Sequence, residues 1–160
     1  MTSYMTKATH IRLQERFNFL TSVEKPAIIK EIATTREFGD LKENAEYHAA
    51  KDKQKLIMAE MQTLVEKLEH VEFIDDLPIR GDVVSLGTCV VIQDDNGENM
   101  EYSILGQDDS NTEKSIISFM APLARGLMGK KKGDTAILDL PGKKKSVKIV
   151  DIKPYFSVHS

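Results

Sequence analysis

The chain has 160 residues, a net charge of −3 at pH 7 and 41% hydrophobic residues, which suits one domain or two small ones. No run approaches the roughly 18 apolar residues of a membrane helix, and Met1 to Arg16 lacks the apolar core of a signal peptide. Cys89 is the only cysteine, so no intramolecular disulfide can form and a cytoplasmic protein is expected; the acidic balance excludes a bulk nucleic-acid coat but not a local contact.

The first predicted element is helical. Leu13, Phe17 and Leu20 recur at four and three residues, and Ile28, Ile29 and Ile32 resume the apolar face after a break. Pro26 has no backbone N–H, so Ser22-Val23-Glu24-Lys25 is expected to bend and Pro26 to restart the helix. Gly39 is expected to end this arm, as a left-handed residue past a helix end commonly does. A heptad follows: Tyr47, Ala50, Gln54, Ile57, Met61, Leu64, Leu68 and Val71 alternate at three and four residues and share one stripe. No Gly or Pro interrupts Leu41 to Asp76, so one helix of roughly 32 residues, about 48 Å long, is predicted. A short turn makes the two arms antiparallel neighbours. The first domain, 1–76, is therefore predicted as an antiparallel coiled-coil helical hairpin with its tip near Gly39–Glu43.

After Leu77-Pro78 the period changes to that of strands. Val83–Ser85, Cys89–Ile92, Glu101–Leu105, Ser115–Ser118, Thr135–Leu138 and Ser146–Ile152 read as short strands. Asn96-Gly97 and Pro141-Gly142 are turn signals, and Pro122–Lys130 has the content of one short helix. The second domain, 77–160, is predicted to be antiparallel and β-rich, which makes the fold class α+β. Its charges come in blocks: residues 77–124 hold two bases and eight acids, whereas 125–160 hold nine bases and three acids. The simplest expectation is that these blocks alternate in space across one sheet.

The candidate site is the run Gly39-Asp40-Leu41-Lys42-Glu43-Asn44-Ala45-Glu46-Tyr47. Asp40 and Glu43 have the spacing of an N-cap and its capping-box partner, favoured by the helix dipole. The same spacing lets two carboxylates share one Mg²⁺, provided that another molecule supplies the remaining ligands. Arg36, Lys42 and Lys51 flank the tip, as phosphate contacts or as a solvated helix face. His10, His48, His70 and His159 show no metal-ligand spacing, and Cys89 sits in an apolar run as a core residue would. Lys130-Lys131-Lys132 and Lys143-Lys144-Lys145 read as solvated turn charges.

Arg36–Ala50 resembles the tip signature of the bacterial Gre transcript cleavage factors, closer to the GreA than the GreB branch. Ala121-Pro122-Leu123-Ala124-Arg125-Gly126-Leu127-Met128-Gly129-Lys130 resembles a second segment of that family, and Pro141-Gly142 its late turn. The two motifs stand in the family's order and separation. The resemblance implies a coiled-coil hairpin followed by a domain like the FK506-binding proteins, with no isomerase activity. It implies a monomer that binds bacterial RNA polymerase at its secondary channel and is not itself an enzyme. The tip would reach the nascent RNA 3′ end and stimulate cleavage by the polymerase's own site, with Asp40 and Glu43 sharing Mg²⁺ with the polymerase. No cofactor is expected to bind tightly to the free protein. Arg36 and Lys51 match RNA-contacting positions, although Lys51 replaces a common Arg. Asn44, Glu46 and Tyr47 are expected to support the tip, and Pro122, Leu123 and Arg125 to dock on polymerase. Phe38 stands where His is frequent, and Ala121 where Ser is. A channel-binding inhibitor without cleavage activity and a pure coiled-coil adaptor are the alternatives.

Overall fold

The computed structural model describes residues 2–37, 39 and 44–159. The chain divides into two compact units, His10–His70 and Met1–Thr9 with Val71–Ser160. The boundary therefore differs from the 76/77 division. Strand β1 (Ser3–Met5) pairs in parallel with β2 (Val71–Phe73), placing both ends of the helical region in the β-rich unit.

In the helical unit α1 (Lys7–Phe19) continues through a π-helical turn (Leu20–Glu24) into α2 (Lys25–Arg36). The backbone does not break at Pro26: Glu24 and Lys25 both keep right-handed helical dihedrals. The Lys25 N–H donates to the Leu20 carbonyl, and the wide turn immediately before Pro26 is where a helix interior accommodates a residue without an N–H. The wide turn also absorbs one residue. Leu20 and Ile28 are eight residues apart rather than the seven of a heptad, yet both are buried, as are Leu13, Ile32 and Thr35. Ile29, expected on the same face, is 49% exposed; one residue beyond Ile28, it has rotated about 100° off the seam.

The second arm, α3 (Ala45–Glu69), has 25 residues and a length of about 38 Å. It is shorter than expected at both ends. Asn44, with extended dihedrals, sets its start, and His70 leaves the helix so that Val71–Phe73 can pair with β1. All eight heptad positions from Tyr47 to Val71 are buried or half-buried. The arms run antiparallel, because Thr35 meets Asn44 and Arg16 meets Glu60. Arg16 binds Glu60 bidentately at 2.7 and 2.9 Å. That hydrogen bond holds the Glu60 carboxyl below its ordinary range, although both side chains are well exposed.

In the β-rich unit β3 (Thr88–Gln93), β4 (Asn99–Leu105), β5 (Ile116–Ser118), β6 (Thr135–Leu140) and β7 (Lys143–Pro154) form one sheet in the order β5-β4-β3-β7-β6. The sheet is mixed rather than purely antiparallel, because β5 runs parallel to β4. Val83–Ser85 is not a strand; Val83 makes one isolated bridge, to Lys131. On β7, Val147 and Ile149 face the core; the register then shifts opposite Val91/Ile92, so that Ile152 is buried as well. Helix α4 (Pro122–Leu127) covers this core with Ala124 and Leu127.

A second cluster, centred on Ile74, Leu105 and Ile116, includes Tyr4 from β1. Beside β1 the buried Asp109 accepts from the Thr6 N–H and hydroxyl and from the Gly106 N–H. Gly106 lies against the Tyr4 carbonyl, where a Cβ would collide. Cys89 is buried 3.1 Å from the Ser103 hydroxyl, and burial pushes its thiol pKa up.

Deleting Ser22 removes the extra residue of the π turn and leaves Ile28 seven residues after Leu20, so an ordinary α-turn keeps Ile28, Ile32 and Thr35 on the seam and little stability is expected to be lost. Inserting one alanine after Ser22 instead adds a residue that the turn does not absorb; Ile28, Ile32 and Thr35 then rotate about 100° away from the seam, and the expected loss, on the order of 3 kcal/mol, is that of truncating a core leucine. Urea denaturation checks both; a large loss on deletion, or none on insertion, would show that the π turn has no register role. Glu60 has a lowered folded-state pKa, so its stabilising effect is complete above its ordinary value of 4.5 and disappears as pH falls through the folded value. The difference in Tm between wild type and Glu60→Gln is therefore expected at neutral pH, small and salt-sensitive, and absent in strong acid.

Candidate functional site

The two arms are joined by residues 37–44. Of these, Glu37, Gly39 and Asn44 are described, whereas Phe38, Asp40, Leu41, Lys42 and Glu43 lie outside the described residues. The proposed carboxylate pair thus falls within the connection by sequence, and the capping role expected of Asp40 belongs to Asn44. The Asn44 Oδ1 accepts the Tyr47 N–H at 3.0 Å, the usual bond of an N-cap to the third helical residue. Its Nδ2 donates to the Thr35 carbonyl at 2.8 Å, near the end of α2. One side chain therefore satisfies a free N–H of one helix and a late carbonyl of the other.

The rest of the hairpin end is arranged around that link. Arg36, the last residue of α2, places its guanidinium 5.8 Å from the centre of the Tyr47 ring, within cation–π range. Tyr47 also meets His48 edge-on, with ring centroids 5.6 Å apart. Glu46 is exposed in the first turn of α3, where the helix dipole favours an acid. Lys51 lies one turn further on and donates to Gln54 Oε1 at 3.3 Å. Gly39 has φ of +100°, the left-handed region that glycine enters without strain, and its N–H reaches the Arg36 carbonyl. This matches the helix-ending role expected of it.

Sequence reasoning missed Thr35. It is buried, its hydroxyl donates to the Ile32 carbonyl at 2.8 Å, and its own carbonyl receives Asn44. Its position three residues after Ile32 on the apolar stripe was the available signal.

The second motif lies on α4. Pro122 opens the helix without a side-chain cap. Pro122 and Arg125 are exposed and Leu123 is half-buried, whereas Ala124 and Leu127 are buried. The helix thus spends one face on the core and presents the other. Gly129 follows with φ of +81°, and the Gly129 N–H and Lys130 carbonyl bond to Val84, which fixes the exit from α4. Among the described residues no cluster of His, Cys, Asp or Glu is arranged to hold a metal, and no helix is long and apolar enough to cross a membrane.

Comparison with known proteins agrees with this layout. The N-terminal domain described as "Transcription elongation factor, N-terminal" matches residues 3–72, and "Transcription elongation factor, GreA/GreB, C-term" matches 79–154. Transcription elongation factor GreA of Sulfurovum sp. (strain NBC37-1) is 43% identical over 92% of this chain and 92% of its own. GreA of Maricaulis maris (strain MCS10) is 40% identical over 92% and 95%, and that of Francisella philomiragia 41% over 93% and 94%. The crystal structure of GreA factor homolog 1 of Thermus thermophilus aligns with 96% of this chain and 99% of that one, at 24% identity and a TM-score of 0.44. The chain belongs to the GreA/GreB family of transcription elongation factors.

Asn44→Ala removes both the cap and the link to Thr35. The expected loss is about 1–2 kcal/mol, seen as a lower midpoint for the helical transition in far-UV circular dichroism. An unchanged midpoint would mean that water replaces both bonds at no cost.

Proposed function

We propose that this elongation factor stimulates cleavage of backtracked nascent RNA by RNA polymerase, and that the polymerase's own active site performs the cut. The helical hairpin acts as a coiled-coil arm that enters the secondary channel. The β-rich unit, taken as a domain like the FK506-binding proteins, docks outside through Pro122, Leu123 and Arg125. The factor works as a cytoplasmic monomer and is not itself a nuclease.

The observation that carries this reading is the hairpin end. Asp40 and Glu43 belong to the connection between two antiparallel helices, one of them about 38 Å long, and Asn44 ties those helices together beside the acids in sequence. Two carboxylates are hard oxygen donors that suit Mg²⁺, and they leave most of its coordination shell to the polymerase and water. When bound there, the ion would supply charge stabilisation and an activated water.

The chain's own residues position that chemistry. Asp40 and Glu43 present negative charge at the end of the arm. Asn44, Glu46 and Tyr47 hold the start of α3, and Tyr47 steadies the Arg36 guanidinium through its ring face. Arg36 and Lys51 then offer cations to the RNA 3′ end. Lys51 is a point charge that meets phosphate without the forked geometry of Arg.

The test is a reconstituted, backtracked elongation complex. Wild-type protein should accelerate RNA cleavage. Asp40→Ala with Glu43→Ala should slow it at least about tenfold, or 1.4 kcal/mol of barrier, while still binding polymerase. The protein alone should leave RNA intact. Slower nucleotide addition without cleavage would identify an inhibitor instead, and full activity of the double variant would remove the acids from the mechanism.

A further inference from the structure

A cavity of about 310 Å³ opens in the β-rich unit where three distant stretches of chain meet. Strand β1 supplies Tyr4, the 3₁₀ turn Gln107–Asp109 supplies Gln107 and Asp108, and the exit from β5 supplies Phe119 and Met120. None of Pro122, Leu123 and Arg125 lines it. The volume lies at the lower end of the roughly 300–1,000 Å³ of small-ligand sites, so it suits a group the size of one side chain.

The walls of the cavity are tied to one another. Asp109 accepts from the Thr6 N–H and hydroxyl at 3.1 and 2.8 Å and from the Gly106 N–H at 2.8 Å, which fastens the 3₁₀ turn to the chain just past β1. Gly106 approaches the Tyr4 carbonyl so closely that a Cβ would collide. The Phe119 N–H donates to the Leu105 carbonyl at 2.9 Å, and the Tyr4 and Phe119 rings meet edge to face with centroids 5.9 Å apart. The walls are thus held before any ligand arrives, and little ordering is left to oppose binding.

The lining divides into an apolar and a polar part. Tyr4 and Phe119 are half-buried and Met120 is 46% exposed; together they offer two rings and a flexible thioether. The polar part holds the half-buried Asp108 carboxylate, the Gln107 amide and the Thr2 and Ser3 hydroxyls. Among the described residues no Lys, Arg or His lines the cavity, so an anion would meet a carboxylate and no compensating cation. A cation on an apolar stem matches both parts. Its head meets the carboxylate in a charge-assisted hydrogen bond, and aromatic rings attract a cation to their faces.

We propose that this cavity binds a guanidinium group on a short alkyl stem, with the stem against Tyr4, Phe119 and Met120 and the head at Asp108. A guanidinium suits the site better than an ammonium for two reasons. It is planar and weakly hydrated, so it stacks on an aromatic ring and gives up water readily. It also carries several N–H donors in a fixed fork, and Asp108, Gln107, Thr2 and Ser3 offer acceptors for them. Free arginine-like amines and the arginine side chains of a partner chain carry the same group.

Titration of agmatine into the full chain, followed by amide chemical shifts, tests the proposal. Saturable shifts are expected at Tyr4, Gln107, Asp108 and Phe119, with a dissociation constant of about 1 mM or tighter. The neutral isostere with a urea in place of the guanidinium should bind at least about tenfold more weakly. Asp108→Asn should weaken agmatine by a similar factor, about tenfold. Asp95→Asn makes the same charge change at an exposed turn position and should weaken it less than about twofold. A short blocked peptide with one arginine distinguishes the sources: binding at least as tight as that of agmatine points to a partner chain's arginine, and exclusion of the peptide to a free ligand. If Asp108→Asn loses its thermal transition, the neutral isostere decides alone. No saturable shift below about 10 mM agmatine, equal binding of the isostere, or equal loss in both variants would overturn the proposal. The assay contains no polymerase, so its failure would leave the cleavage reading intact.

Discussion

Two helices can share an apolar seam over many turns only while each keeps its stripe turned toward the other, and the helical unit depends on that condition. The second arm meets it with a regular heptad from Tyr47 to Val71. The first arm contains one residue too many between Leu20 and Ile28, and the π turn at Leu20–Glu24 takes it up. Without that wide turn, Ile28, Ile32 and Thr35 would rotate off the seam, and Thr35 would no longer offer its carbonyl to Asn44. The geometry of the hairpin end thus depends on a register correction about three turns of helix away.

At that end a polar link completes what the apolar seam begins. A helix start leaves free N–H groups and a helix end leaves free carbonyls, and an antiparallel turn brings one of each kind together. Asn44 has both an acceptor and a donor on one short side chain, so it can serve both at once. Asp offers only acceptors and could not reach back to a carbonyl. The N-cap of α3 is therefore Asn44; in the proposed mechanism the charges of Asp40 and Glu43 serve a partner.

The β-rich unit shows how strand order changes the meaning of a charge pattern. Lysine runs beside turn glycines read along the chain as solvated turns, and charge blocks usually mix when strands interleave. Here β3 and β7 meet at the middle of the sheet, and the lysines of β7 lie beside β6 on one side and β3 on the other, while Asp82, from the acidic block, lies near Lys131. Lys145 and Asp94 mark the line where the two halves touch.

The sequence by itself determined the two-part organisation, the seam of the second arm and most of that of the first, the strands from Cys89 to Ile152 and the two motifs that place the chain in its family. Each is a local periodicity or a contiguous run, and so was legible without partners. Tertiary structure decided the rest, because it depends on residues far apart in the chain. Nothing near Glu69 stops a helix, yet α3 ends there so that Val71–Phe73 can pair with Ser3–Met5. Pro26 read as a break, but packing of the seam keeps the backbone helical through a wider turn. Asn44 caps α3 locally, but the partner of its Nδ2, the Thr35 carbonyl, comes from the neighbouring arm. The parallel pairing of β5 with β4 follows from strand order, which no local pattern encodes.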